Sequence, residues 1–150
     1  GDGACGPTVS EIQLIDFEDG NLVGNVDDTN AVRPWVIGST GKCNGSNNGI
    51  TAGKDATSAG GVDTETTWTI TAPTGSTAMS YYYSYPSALD RGDDFHVSVN
   101  GVEVKTYEEG AGASCSAECI SLSGGDVVEI KCKSGGLNEI CSVDQIRFHG

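Results

Sequence analysis

The sequence is poor in basic residues and has no long apolar segment. Lys and Arg together number 8 in 150 residues, against 21 Asp and Glu, so the formal net charge is -13. A surface of this sign repels the phosphates of nucleic acids and of anionic membranes, and no apolar run approaches the ~20 residues that span a bilayer. The sequence therefore predicts no nucleic-acid partner and no membrane insertion.

Common catalytic motifs are also missing. The sequence contains no G-x-S-x-G, H-E-x-x-H or phosphate-binding-loop pattern, and its two histidines, His96 and His149, lie far apart. Among 21 acidic residues a pair spaced for glycoside hydrolysis is always conceivable, so such a pair is no evidence for a glycoside hydrolase. We therefore expect a protein that is not an enzyme, with a glycoside hydrolase or lyase as the alternative.

Six cysteines are the clearest feature of what is present. An even number of cysteines in a small acidic chain is typical of disulfides formed outside the cell, so we expect a secreted protein. No C-x2-C pair or Cys/His cluster suggests a zinc site. A turn after Cys132 would bring Cys141 within bonding distance. The expected pairs are Cys132–Cys141, Cys115–Cys119 and Cys5–Cys43.

Short runs rich in Val, Ile, Thr and Tyr alternate with clusters of Gly, Asn, Asp and Ser, and no helical periodicity is visible. This pattern is typical of an all-β sandwich or barrel. Asn100-Gly101 between two alternating runs predicts a hairpin, because its turn needs two positive φ angles. The expected strands are Glu11–Glu18, Val32–Ile37, Gly49–Ala52, Thr64–Ala72, Ala78–Tyr85, Asp94–Val99, Val102–Tyr107, Cys119–Leu122, Val127–Lys133 and Cys141–Phe148.

Asp144 stands in an apolar strand near the end of the chain. It shares its parity with Ile146 and Phe148, so it faces the core if they do. A buried carboxylate costs several kcal/mol unless it has a cation, several N–H donors or a proton. One alternative is an arginine partner, either Arg147 or Arg33.

A second acidic pair, Asp16 and Glu18, lies in the first predicted strand. Strands from the two ends of a sandwich often lie side by side, which would bring this pair close to Asp144. The three carboxylates would then offer the oxygen ligands that Ca²⁺ prefers. The sequence therefore predicts a structural calcium site at Asp16, Glu18 and Asp144. The alternative is that these acids lie at solvated strand ends.

Tyrosines supply most of the aromatic surface. Tyr81, Tyr83 and Tyr85 share one side of a predicted strand, and Tyr82 lies on the other. Neutral sugars bind to aromatic faces flanked by polar groups. We predict that Tyr85, Tyr107 and Tyr83 contact a ligand. The alternative is that these rings pack in the core.

A series of short motifs also carries a family resemblance from about Ile12 to Phe148. They are Ile15-Asp16-Phe17-Glu18-Asp19-Gly20, Arg33-Pro34-Trp35-Val36-Ile37, Ser80-Tyr81-Tyr82-Tyr83, Asp94-Phe95, Val99-Asn100-Gly101-Val102 and Val143-Asp144-Gln145-Ile146-Arg147-Phe148. The chain resembles MAM-like and carbohydrate-binding-module-like jelly rolls of secreted surface proteins. The resemblance implies a jelly-roll β-sandwich of two antiparallel sheets, with a structural cation held by Asp16, Glu18 and Asp144. Gln145 departs from the second Asp that many relatives have there.

Together these features predict one β-sandwich domain over residues 1–150, with residues 1–10 as a tail tied down by a disulfide. We expect a calcium-stabilised, non-catalytic module that binds a polysaccharide or glycan, and other domains of a longer chain are further candidate partners. The alternatives are a polysaccharide-degrading jelly-roll enzyme and an adhesion or matrix module that recognises protein. The tripeptide Arg91-Gly92-Asp93 is compatible with cell adhesion.

Overall fold

Extended strands account for nearly all the regular structure. The computed structural model describes residues 5, 10–30, 34–43, 45–54, 64–85, 94–107, 112–134 and 139–150. Its strands are β1 (Glu11–Ile15), β2 (Asn25–Asn30), β3 (Val36–Gly38), β4 (Gly49–Lys54), β5 (Thr64–Thr71), β6 (Ala78–Tyr85), β7 (Asp94–Val99), β8 (Val102–Tyr107), β9 (Ala113–Ser121), β10 (Val127–Ser134) and β11 (Glu139–His149). Within these residues no helix is long and apolar enough to cross a membrane.

The strands form two antiparallel sheets. The six-stranded sheet has the order β3-β4-β11-β6-β9, and β1 also pairs with β11. The five-stranded sheet has the order β2-β5-β10-β7-β8. This arrangement confirms the predicted all-β sandwich of two antiparallel sheets, and it confirms that strands from the two ends of the chain lie side by side.

The core lies between the sheets and is built from alternate residues of each strand. Its largest fully buried side chains include Trp35, Trp68, Phe17 and Phe95. Both indole N–H groups find carbonyl acceptors. Trp35 Nε1 donates to Ile130 O at 3.0 Å, and Trp68 Nε1 donates at 2.7 Å to the carbonyl of the β1–β2 connection. The two buried indole groups are therefore paired, as the cost of isolating a polar group requires.

The predicted hairpin joins β7 to β8. Asn100 and Gly101 have φ angles of 51° and 81°, which fits the two positive values that the turn needs. The Asn100 side chain also reaches the turn before β10, since its Oδ1 accepts the Val127 N–H and its Nδ2 donates to Asp126 Oδ1, both at 2.9 Å. The two turns are thus held together at one end of the sandwich.

Strand β11 changes face partway along its length. The odd residues Cys141 and Val143 are fully buried in the core, and so are the even residues Ile146 and Phe148. A regular strand cannot direct both parities inward. Pairing with β6 shifts register after Asp144, and Gln145 has a φ of 51°, which identifies a β-bulge at this point.

Because of the bulge, Asp144 is buried on the outer face of the sheet and not in the core. Asp144 precedes the bulge, so it lies on the side opposite to Val143, which is the outer face of the six-stranded sheet. Its cross-strand neighbour is Tyr82, which also points outward because Tyr81 is buried in the core. The expectation that Asp144 shares the inward face of Ile146 is therefore wrong, although its side chain is 0% exposed.

Three disulfides connect the described residues, and one expected pair is correct. Cys132–Cys141 joins the two sheets and is fully buried. The expected pairs Cys115–Cys119 and Cys5–Cys43 are wrong, because Cys115 and Cys119 belong to one extended strand, where residues four apart are about 13 Å from each other. The observed bonds are Cys5–Cys119 and Cys43–Cys115, with Cα separations of 5.1 and 5.6 Å.

These two long-range disulfides attach other parts of the chain to the outer face of the six-stranded sheet. Cys43 belongs to the segment between β3 and β4, and its bond to β9 fixes that segment over the sheet. Four polar side chains are buried on this outer face: Ser80, Ser142, Asp144 and His149. The segment that carries Cys43 covers Asp144, because the Cys43 N–H donates to its Oδ2.

Candidate functional site

The candidate site lies at a gap beside β11. On one side of this strand β4 pairs with Glu139–Val143, and β1 pairs with the part that begins at Ile146. The bulge at Gln145 falls between the two partners. We use the name covering loop for Cys43 and residues 45–48, which enter this gap just before β4 begins.

Asp144 is held under the covering loop by hydrogen bonds. Its Oδ2 accepts the Cys43 N–H at 2.8 Å and the Ser46 hydroxyl at 2.5 Å, and its Oδ1 accepts the Gln145 N–H at 2.7 Å. Burial raises the pKa of Asp144 above its usual value, the three donors oppose that rise, and the negative charge of Glu18 adds to it. A buried carboxylate needs a cation, several hydrogen-bond donors or a proton, and the structure shows that Asp144 has the donors.

Asp16 and Glu18 follow β1, which ends at Ile15 and not at Glu18 as expected, and they are more accessible than Asp144. Glu18 is exposed, and its two carboxylate oxygens accept the N–H groups of Asn47 at 2.7 Å and Asn48 at 3.1 Å. Asp16 is half-buried and accepts the Glu18 N–H at 3.2 Å. Between them Phe17 turns inward with a φ of 63° and is 1% exposed. Glu18 and Asp144 therefore hold opposite ends of the covering loop.

A cleft of about 340 Å³ opens over this arrangement. Its lining combines carboxylate, amide, hydroxyl and guanidinium groups with one apolar side chain. Arg147, which also belongs to the lining, pairs with Glu11 at 2.9 Å rather than with Asp144. Arg33 lies outside the described residues. The lining residues are Leu14, Asp16, Glu18, Gly45, Ser46, Gln145 and Arg147.

The residues of the predicted calcium site fit a hard cation in their chemistry, because all three offer carboxylate oxygens. Their geometry is different from a ligand cluster. In the described part of the chain no three His, Cys, Asp or Glu side chains converge as metal ligands. The oxygens of Glu18 and Asp144 instead accept N–H and O–H donors from the covering loop. The calcium assignment to Asp16, Glu18 and Asp144 stays a prediction.

The predicted ligand-contacting tyrosines come together at the far edge of the sandwich. Tyr83 stacks on Tyr107 with ring centroids 3.9 Å apart, and Tyr85 stacks on the same pair at centroid distances of 6.3 and 6.2 Å. The Tyr81 and Tyr107 hydroxyls are 2.7 Å apart, and Tyr107 donates to Glu118 Oε1 at 2.9 Å. Burial raises the pKa of both Tyr81 and Tyr107 above the usual value.

Much of the surface of these tyrosines is buried by packing. Tyr107 is 7% exposed, whereas Tyr83 and Tyr85 are half-buried against the core. The ring of Tyr83 has Tyr107 and Tyr85 as stacking partners. The assignment of Tyr83, Tyr85 and Tyr107 as ligand contacts stays a prediction, and Tyr85 is the member at the outer end of the stack.

Sequence reasoning missed the covering loop. Residues 38–48 are rich in Gly, Ser and Asn, and this composition predicts only a connection between strands. The loop instead supplies Ser46 and three backbone N–H groups to two distant carboxylates. The one available signal was Cys43, since a cysteine within a polar loop indicates that the loop is fixed elsewhere. The tripeptide Arg91-Gly92-Asp93 lies outside the described residues.

Comparisons with known proteins show structures of similar fold. No protein-family model and no curated protein matches the chain. A cleaved adhesin domain of Lys-gingipain from Porphyromonas gingivalis is similar in structure, with a TM-score of 0.66 and 16% identity over 91% of this chain and 98% of that domain. A carbohydrate-binding module that recognises mannan has a TM-score of 0.51 and 11% identity, covering 95% of this chain and 98% of the module.

A third similar structure is a xylan-binding domain from Paenibacillus barcinonensis. Its TM-score is 0.50 and its identity is 13%, covering 93% of this chain and 95% of that domain. At these identities the likeness shows the fold, a β-sandwich of the kind found in adhesin domains and carbohydrate-binding modules. It confirms the expected carbohydrate-binding-module-like architecture, while the MAM-like resemblance stays a prediction.

Proposed function

We propose that this chain is a non-catalytic carbohydrate-binding module of an extracellular protein. The observation that carries the proposal is the open polar cleft beside β11, whose volume of about 340 Å³ falls within the usual size of small-ligand sites. Carboxylate, amide and guanidinium groups such as those of Glu18, Gln145 and Arg147 pair well with sugar hydroxyls. The similar structures that recognise mannan and xylan support the same class of ligand.

The extracellular setting is supported by chemistry. Three disulfides join all six cysteines, and such bonds persist in oxidising compartments. The charge of -13 disfavours polyanions as ligands, so the proposed glycans are neutral.

Calcium is the second part of the proposal. A Ca²⁺ ion at Asp16, Glu18 and Asp144 would neutralise like charges that face the same gap. Asp144 Oδ1 and both Glu18 oxygens each accept one hydrogen bond and keep a lone pair for the ion. An ion present at about 100 times its dissociation constant would add about 2.7 kcal/mol to stability. Calcium titration followed by thermal melting tests this part: an upward shift that the Asp144→Asn variant lacks supports it, and identical melting curves with calcium and with chelator refute it.

A second candidate is an adhesion module that recognises protein. The high similarity in fold to the adhesin domain of Lys-gingipain favours this alternative. A matched experiment separates the two: the purified chain is applied to a glycan array and to a panel of matrix proteins, each with calcium and with chelator. Binding to neutral glycans supports the carbohydrate module. No binding to glycans, together with saturable binding to one matrix protein, favours the adhesion module. Release of reducing ends from a bound polysaccharide would show an enzyme.

A further inference from the structure

Tyr82 differs from the other four tyrosines of the chain. Alternation along β6 directs Tyr81 and Tyr83 towards the core, so Tyr82 lies on the outer face of the six-stranded sheet. Tyr81, Tyr83, Tyr85 and Tyr107 all contact other aromatic rings. Among the described residues Tyr82 is the one tyrosine without an aromatic partner, and its side chain is half-buried.

The surroundings of Tyr82 are open between two covered regions. Its neighbour on β9 is Ala117, which is exposed and too small to cover a ring. Two residues away on one side, Ser80 is buried beside Cys119, which is bonded to Cys5. On the other side Ser84 accepts the N–H of Cys115, which is bonded to Cys43. The two disulfides thus flank Tyr82 without covering it.

Tyr82 also lies on the same sheet face as the polar cleft. Its partner on β11 is Asp144, and the next residue along β11 is Gln145, which lines the cleft. Neighbouring strands are about 4.8 Å apart, so β6 and β1 lie about 10 Å apart across β11. The covering loop lies over Asp144, so a ligand would cross β11 beyond it, at Gln145 and Arg147, which line the cleft. Such a ligand would meet the Tyr82 ring at one end and polar side chains such as Asp16 at the other.

We propose that Tyr82 is the aromatic platform of the carbohydrate site, and that a neutral pyranose polymer lies across β11 with one ring on Tyr82 and its hydroxyls in the cleft. The half-buried position fixes the ring in the sheet and leaves aromatic surface open, which is what a stacked sugar needs. This inference rests on the proposed carbohydrate-binding function. It assigns the contact to Tyr82 on the outer face rather than to Tyr85 at the sandwich edge.

The test compares Tyr82→Ala, Tyr82→Phe and Tyr85→Ala by calorimetric titration with the neutral polysaccharide that wild type binds most tightly in a panel including mannan and xylan. We expect Tyr82→Ala to weaken binding by about tenfold or more, and Tyr82→Phe and Tyr85→Ala to change it by less than about threefold. Melting curves of the variants exclude unfolding as the cause of a loss.

A second measurement separates contact from indirect effects. Nitration of wild type with tetranitromethane, mapped by mass spectrometry, should modify Tyr82, and saturating polysaccharide should protect it. Unchanged affinity in Tyr82→Ala, or a larger loss in Tyr85→Ala, overturns the assignment of Tyr82 while leaving carbohydrate binding standing. Absence of binding by wild type to every neutral polysaccharide refutes the proposed function and this inference together.

Discussion

At the scale of single residues, Asp144 illustrates how hydrogen bonds offset the cost of burying a charge. Its side chain is 0% exposed, yet three donors from Cys43, Ser46 and Gln145 lie within 2.5 to 2.8 Å of its oxygens. Hydrogen bonds to a charged group are stronger than those between neutral groups. Asp144 therefore connects β11 to the covering loop whether or not a cation is bound.

Replacing Asp144 with Asn tests this role. The amide would present an N–H group to at least one of the donors around it, so we expect the free energy of unfolding to fall by about 1.5–3 kcal/mol in calcium-free buffer. Urea denaturation of wild type and Asp144→Asn measures the difference. The half-buried Glu129 provides a control, since it has no hydrogen bond or ion pair in the part of the chain that the structure describes, and Glu129→Gln removes only its charge. Equal stability of wild type and Asp144→Asn would contradict the account.

The hydroxyl of Tyr107 offers a second test at this scale. It donates to Glu118 at 2.9 Å and accepts from Tyr81 at 2.7 Å, so Tyr107→Phe leaves the buried Tyr81 hydroxyl without this partner. An unpaired buried polar group costs about 1–3 kcal/mol, and we expect a loss of that size in urea denaturation. Tyr82→Phe is the matched control and should leave stability nearly unchanged. A comparable loss in both variants would show that the hydroxyl chain is not the cause.

At the scale of strands and loops, local pattern was sufficient for three strands that are rich in β-forming residues and bounded by turn residues. The bounds expected for β6, β7 and β8 agree with the structure, and so does the Asn100-Gly101 turn. Strand β2 was missed because Asn25–Asn30 contains one apolar residue, Val26, and its polar remainder is typical of a loop. Strand β9 begins at Ala113, earlier than expected, since its first half lacks large apolar residues.

Features fixed by distant contacts could not be predicted from the sequence. The bulge at Gln145 reverses the parity of β11, and nothing local in Val143–Arg147 signals it. Cys43 pairs with Cys115 across 72 residues, a contact that only the assembled sheets create. The expectation that the first and last strands lie side by side was correct, because β1 and β11 pair. It missed the covering loop, which donates hydrogen bonds to Glu18 and Asp144, and the shared site at Asp16, Glu18 and Asp144 stays a prediction.

The Cys43–Cys115 bond should hold the covering loop in place. Closing a loop of 72 residues removes about 4 kcal/mol of chain entropy from the unfolded state by the usual estimate. We expect Cys43→Ala/Cys115→Ala to lower the melting temperature and to speed amide hydrogen exchange at Asn47 and Asn48, whose N–H groups contact Glu18.

Removal of the Cys5–Cys119 disulfide, which lies on the same outer face, is the control for that experiment. Cys5→Ala/Cys119→Ala should also reduce stability, because the bond joins residues 114 apart in sequence. It should leave exchange at Asn47 and Asn48 unchanged, because neither residue contacts that disulfide. Equal protection of these two amides in both double variants would show that the carboxylates alone hold the loop.

At the scale of the whole molecule, the first and last strands meet. Strand β1 pairs with the end of β11, and Gly150 donates its N–H to Ser10 O at 3.0 Å. His149 is 0% exposed at this junction, with Nε2 2.8 Å from Ser80 Oγ. Burial lowers the pKa of His149 below 6.5, the nearby charge of Glu11 opposes this, and that of Arg147 adds to it.

A buried neutral histidine makes stability depend on pH. Because the folded-state pKa lies below the unfolded value, the unfolded chain takes up the proton first, so stability is full above about pH 6.5 and falls as pH drops through the folded pKa. Urea denaturation between pH 8 and pH 5 should show this decline in wild type. His149→Gln keeps a hydrogen-bonding group and should flatten it. A slope that survives the substitution would assign the decline to other groups.

The most direct test of carbohydrate binding without cleavage is one titration with two readouts. Neutral and sulfated polysaccharides are titrated into wild type by calorimetry, and reducing ends are counted in the same samples afterwards. The account predicts saturable binding to a neutral polymer, weaker or no binding to the sulfated one because of the charge of -13, and no increase in reducing ends. Failure to bind any neutral polysaccharide, or new reducing ends in proportion to protein added, would contradict it.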